Sequence, residues 1–160
     1  MNTKAAPRKL LSLRREASRI EPGPDGTRPM SYPRLVQPVL DRYCVSCHDG
    51  TQGPGKSKLD LTGAIDPPFT RSYKNLKPYL NWYAWGRGHH ITLPGTLGAD
   101  TSRLTTILRD KNHADVKLDD QSLRKLYLWM DANVPFYGTY WPEEQAAQLQ
   151  GKAVDPPVLQ

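Results

Sequence analysis

The chain has 160 residues, of which 38% are hydrophobic, with 15 prolines, 12 glycines and two cysteines. That allows one domain with a modest core and, because both cysteines sit in a single Cys-x-x-Cys, excludes a disulfide framework; no apolar run nears the ~20 residues needed to cross a bilayer. The net charge of +6 suits a basic soluble surface or one that steers toward an acidic partner, and the lack of an arginine-rich run interleaved with aromatics argues against a nucleic-acid surface. Residues 1–30 read as an extended arm or connector. The start is basic without the apolar stretch of a secretion signal, and "EPGPDGTRP" is turn chemistry throughout. "SYPRLVQPVLDRYC" predicts a helix capped by Ser31 or Tyr32, with Pro33 at its start. Leu35 with Val39 and Val36 with Leu40 form i,i+4 pairs, and Pro38 should kink or shorten the helix. After a Gly/Pro/Lys-rich loop broken by "KLDLTG", "RSYKNLKPYLNWY" predicts a short helix with Tyr73, Leu76 and Leu80 on one side. Asp100 should cap a helix whose Leu104, Ile107 and Leu108 share a face. Asp119 should cap the last helix, where Leu123, Leu126, Tyr127 and Met130 make one apolar stripe. The domain so outlined, residues 31–141, is mainly α and loop-rich, and residues 142–160 read as an irregular tail.

"DRYCVSCHDG" holds both cysteines, with His48 directly after Cys47. Three chemistries use such a pair. A thioredoxin-type redox pair needs a βαβ setting, and the lead-in here is helical. A zinc site needs two further ligands, from His89, His90 or His113, and His48 is poorly placed to share a tetrahedral ion with Cys47. Cys-x-x-Cys-His is the signature of covalent haem attachment. There the thiols of Cys44 and Cys47 bond the vinyl-derived carbons of one haem c, and His48 reaches the iron from the face the peptide crosses. The third reading accounts for all three residues. It also accounts for the order of elements: a helix leading into the motif and an amphipathic helix near the end, as in small class I-like cytochromes c, where those helices pack beside the haem. Trp82, Trp85, Trp129 and Tyr127 are candidate pocket walls. Covalent haem of this type is attached outside the cytoplasm, so the expected location is a periplasm or other extracytoplasmic compartment.

"SYPRLVQPVLDRYCVSCH", "KLDLTG", "FTRSY", "PGTLGADTSRL", "HADVKL" and "LWMDANVPFYG", in that order, resemble the C-terminal c-type haem domain of the hydrazine synthase alpha subunit and related planctomycete multi-domain cytochromes. The resemblance spans about residues 8–140. It implies an electron-transfer haem with two histidine ligands, accompanying an active-site haem in an upstream domain. That upstream motif is not in these residues, so the resemblance brings electron transfer to this chain and not catalysis. Leu10 to Pro22 resemble the connector after the upstream domain, and Met130 stands where relatives often carry Ile or Leu.

The candidates for the second axial ligand are His89, His90, His113, Met30 and Met130. The loop before the amphipathic helix is the usual source of the distal ligand in small c-type cytochromes. His113 lies in it and matches the histidine of the family's H-x-D-V segment. Met130 lies in an apolar stripe and reads as packing. The leading expectation is therefore a one-electron carrier with His48 and His113 on the iron, serving a redox partner or an upstream haem domain, the partner surface being acidic. Two alternatives stand beside it. One is a catalytic or gas-binding haem with an open distal side, peroxidase-like or part of a hydrazine synthase-like enzyme, using His89 or His90 as acid/base group. The other is a structural haem module docked on a larger enzyme.

Overall fold

The structure, a computed structural model, describes residues 15–19, 21–24, 26–55, 57–84, 93–113 and 116–156. Ser31, with extended backbone, precedes the first helix, α1 (Tyr32–Leu35), which carries Pro33 in its first turn. Proline costs nothing there, because the first helical N–H groups have no partner inside the helix. Pro38 cannot donate to the ladder. The helix accordingly breaks at Val36 and restarts as α2 (Gln37–Tyr43), with Pro38 in the new first turn. Leu35, Val36, Val39 and Leu40 are all buried, as their spacing predicts.

A two-residue hairpin follows, β1 (Ile65–Asp66) and β2 (Phe69–Thr70), in the register Ile65 opposite Thr70 and Asp66 opposite Phe69. It runs straight into α3 (Arg71–Leu76) and a 3-10 turn at Lys77–Tyr79. Tyr73 and Leu76 are buried and Leu80 half-buried. α4 (Arg103–Arg109) begins later than the sequence suggests, with Ser102 rather than Asp100 at its N-cap position. Residues 98–102 form a turn instead: the Ser102 N–H donates to the Ala99 carbonyl at 3.2 Å and its hydroxyl to the Gly98 carbonyl at 2.7 Å. Asp100 is left outside, 3.8 Å from Arg109.

α5 (Asp120–Asp131) is capped by Asp119, whose carboxylate accepts from the Ser122 N–H at 2.7 Å. Leu126 and Met130 are buried and Leu123 and Tyr127 half-buried, so the stripe faces inward. Trp129, off that stripe, is 0% exposed. Its ring centre is 5.1 Å from that of Tyr32, which in turn lies 5.1 Å from Tyr73 and 5.5 Å from Phe136. The Trp129 indole N–H donates to the Pro135 carbonyl at 3.0 Å. The helix ends with Asn133 and Val134 at φ 67° and 52°. A left-handed valine is unfavourable, and it is held by burial and by two bonds, its N–H to the Trp129 carbonyl and its carbonyl from the Tyr73 hydroxyl at 2.8 Å.

α5 is not the last helix. The tail expected to be irregular contains α6 (Pro142–Leu149), which packs on α1. Its ends carry the usual signals: Pro142 in the first turn, Glu143 and Glu144 at the positive pole, and Gly151 at φ +76° after the stop. Gln148 is buried and takes the Gly138 N–H at 3.1 Å. Gly138 has no room for a side chain, since a Cβ there would lie 2.4 Å from the Met30 carbonyl oxygen. The described part of the N-terminal arm contains no helix or strand. Its Gly23, Pro24, Arg28 and Met30 border a small hollow with Leu35, Lys125 and Leu128. Among the described residues no helix is long and apolar enough to cross a membrane.

Candidate functional site

The Cys-x-x-Cys-His segment continues the winding of α2. The Cys44 N–H donates to the Leu40 carbonyl at 2.8 Å, and the Cys47 and His48 N–H groups donate to the Cys44 carbonyl at 3.0 and 2.9 Å. The segment 57–61 is then drawn across it. The Ser57 N–H donates to the Cys47 carbonyl at 2.8 Å, the Leu61 N–H to the His48 carbonyl at 2.7 Å, and Asp49 bridges Asp60. Gly50, at φ +79°, makes this approach possible, because a Cβ there would sit 2.9 Å from the Asp60 Cβ. Burial raises the Asp60 carboxyl pKa, but bonds from Thr62 and from Arg71 at 2.8 Å outweigh it and hold it below the usual range. The strap is thus tied on both sides and carries Leu59 and Leu61 to the site.

Cys44, His48 and His113 come together on one cavity of about 420 Å³, a size in the ~300–1,000 Å³ range of ligand sites. Its walls are mostly leucine: Leu40 from α2, Leu59 and Leu61 from the strap, Leu76 from α3, Leu104 and Leu108 from α4, and Leu126 from α5, with Tyr79 and Ile107. Ser57, Asp110 and Asn112 supply the polar part. The sequence reading missed these walls. The signal was the pair of leucines in "KLDLTG" just after the motif, and the apolar face of α4. Three of the four aromatic walls it named are elsewhere. Trp129 belongs to the cluster around Tyr32, and neither Tyr127 nor Trp82 lines the cavity. Large rings packed on one another fill a separate part of the core, and the cavity is left mostly to smaller side chains. Trp85, His89 and His90 lie outside the described residues. Cys47 is half-buried and not part of the lining; Ser46 Oγ lies 3.9 Å from its sulfur.

The two imidazoles define the geometry. The rings of His48 and His113 stand 5.9 Å apart, centre to centre, and are inclined at 61°. Two imidazoles bound to opposite sides of one metal ion through bonds of about 2 Å have ring centres roughly 6 Å apart. His48 Nδ1 is buried and has no hydrogen-bond partner. Burial, and then the neighbouring His113, lower the His48 pKa, which favours the neutral imidazole that ligates metals. Residues at the cavity therefore fit a flat, apolar, metal-centred group. They fit the other two chemistries poorly. Burial, and secondarily Cys47, push the Cys44 thiol up to about 11, away from the thiolate that redox exchange needs. Among the described residues there is no group of three or more His, Cys, Asp or Glu that could hold a metal ion, and no βαβ unit.

Met130 is 1% exposed and stands apart from the cavity, in the core. Met130→Leu is nearly volume-conserving and should cost less than ~1.5 kcal/mol, as chemical denaturation would show. Met30 packs beside the arm, away from the site.

Asp119 links the two halves of the site. Besides capping α5 it accepts the Tyr43 hydroxyl at 2.8 Å and Arg42 at 3.3 Å, so the residue before Cys44 is tied to the end of the loop that carries His113. The bond from the Ser122 backbone, then those from Tyr43 and the Ser122 side chain, lower its pKa from 3.8 to about 2. A carboxyl depressed on folding stabilises above its unfolded pKa, and that contribution is lost as pH falls through the folded one. Melting temperature should thus fall between about pH 4 and pH 2, and Asp119→Asn should flatten this limb while lowering stability at neutral pH. Thermal melts of both proteins across that window would show it.

Comparison with family models, curated proteins and solved structures gave no match for this chain.

Proposed function

We propose that this chain is a one-electron carrier that binds one haem c through Cys44 and Cys47, with His48 and His113 as its axial ligands. The observation that carries the reading is the pair of imidazoles with ring centres 5.9 Å apart on a leucine-walled cavity, one of them directly after a Cys-x-x-Cys. Bound haem supplies a single redox-active iron that cycles between ferric and ferrous. The chain's residues do the rest. The α2 turn presents Cys44 and His48 together, the strap holds that turn, and Leu40, Leu61, Leu76, Leu104 and Leu126 keep water from the cavity. With both imidazoles on the iron and walls made mostly of leucine, the site suits electron transfer better than catalysis. The net charge of +6 suits an acidic partner, a separate redox protein or an upstream haem domain, in an extracytoplasmic compartment.

The test is to produce the chain in a compartment that attaches c-type haem, denature it and weigh it. One haem should remain on the polypeptide, and the native protein should be low-spin and indifferent to carbon monoxide. Haem that acidic acetone extracts would overturn the attachment. A high-spin spectrum with ready carbon monoxide binding would overturn the carrier in favour of an open, catalytic or gas-binding haem.

A further inference from the structure

Beyond its axial and thioether residues, the site must accommodate the two propionate carboxylates of haem, which lie on the porphyrin edge opposite the vinyl-derived carbons. A carboxylate brought against an apolar wall is costly unless a cation or donor meets it. The charged groups at the cavity and beside its wall divide clearly. Asp110 is on the lining beside His113, and its carboxylate already accepts the Asn112 backbone N–H at 2.9 Å and side-chain amide at 3.1 Å. It would repel a second carboxylate. On the wall formed by the 3-10 turn and α4, Tyr79 lines the cavity and the Arg103 guanidinium lies over its ring, 5.4 Å from the centre. Arg103 makes no ion pair with any described carboxylate, unlike Arg109 on the same helix, which has Asp100 at 3.8 Å. The pairing of Tyr79 with Arg103 is built in. The Asn81 N–H donates to the Ser102 hydroxyl at 2.9 Å and the Asn81 amide to the Thr101 hydroxyl at 3.1 Å, which stitches the end of the 3-10 turn to the start of α4.

Resting on the haem reading above, we propose that Arg103 and the Tyr79 hydroxyl form an anion subsite that binds a haem propionate. The guanidinium offers paired N–H donors matched to a carboxylate, and the phenol a further O–H. Stacking on Tyr79 reduces the freedom Arg103 would lose on binding, and the tyrosine fixes the direction from which it approaches.

The experiment uses the haem-loaded chain and four variants: Arg103→Gln, Arg103→Lys, Tyr79→Phe, and Arg124→Gln, an exposed residue of α5, as a control for surface charge. Haem content is read first by mass, so a parent without covalent haem overturns the haem reading, and this subsite with it, at that step. In loaded protein, Arg103→Gln should shift the propionate bending band in resonance Raman. It should also lower the reduction potential by more than Arg124→Gln does, because an unpaired carboxylate favours ferric haem. Arg103→Lys should recover part of both effects, and Tyr79→Phe should move the band in the same direction by less. If Arg103→Gln loads haem poorly, Arg103→Lys and Tyr79→Phe still report the band. A parent-like band in the Arg103 and Tyr79 variants, with a potential change no larger than the control's, would overturn the proposal.

Discussion

His113→Ala should turn a low-spin, closed haem into a high-spin one that binds carbon monoxide and cyanide readily. His113 is held in a short turn, its N–H donating to the Asp110 carbonyl at 3.1 Å and its carbonyl accepting from the Val116 N–H at 3.3 Å. The alanine variant should therefore keep the loop and lose only the imidazole. The fold has little other claim on this side chain, which is half-buried and makes its ring contact with His48. Stability should thus change far less than the spectrum. His113→Met should raise the potential where the thioether reaches the iron, since imidazole favours ferric iron more strongly than thioether does. Axial identity is the larger lever, because the choice of ligands accounts for much of the ~0.8 V spread among haem proteins. A low-spin His113→Ala protein that still excludes carbon monoxide would assign the ligand elsewhere, and His89 and His90 would be the next residues to replace.

Trp129→Ala should destabilise the fold severely, by about 3–5 kcal/mol. The indole is wholly buried against Tyr32 and Tyr73, with ring centres 5.1 and 6.3 Å away. Its removal leaves a cavity between α1 and α5 and strands the Pro135 carbonyl that the indole N–H serves. Trp129→Phe keeps most of the volume and loses only that bond, so it should cost much less. Urea unfolding would separate the cases as a lower midpoint with an unchanged slope. Because Trp129 does not line the cavity, the haem spectrum of folded Trp129→Phe should match the parent's. A changed spectrum would place the tryptophan at the haem after all.

Local rules account for the elements that were legible in advance. Pro33 and Pro38 act through their own rings and missing donors, so a helix starting at Pro33 and disturbed at Pro38 could be read in advance, and the disturbance is a break into α1 and α2. The i,i+4 pairs there and the stripe of α5 follow from helical periodicity, and Asp119 caps through a bond to a residue three places on. Ser102 and α6 were legible in principle. Ser102 is as good an N-cap residue type as Asp100, and α6 carries its own end signals in Pro142, Glu143, Glu144 and Gly151 beside a weak apolar face.

The order of residues alone specifies the chemistry on offer: two thiols and an imidazole at haem-attachment spacing, and a second imidazole in the loop ahead of α5. Spacing within a few residues is a property of the local backbone, and it survives whatever the rest of the chain does. Which distant groups meet is a matter of long-range packing. Folding brought His113 to 5.9 Å from His48, 65 positions earlier, drew the 57–61 strap over the motif, and stitched Asn81 to Ser102 so that Arg103 lies over Tyr79. It also sent Trp129 to the aromatic cluster around Tyr32 and left the cavity to leucines. Burial patterns say that a residue points inward but not which inward neighbour it finds, because that choice is made jointly by the volumes of all the side chains that must fill one core.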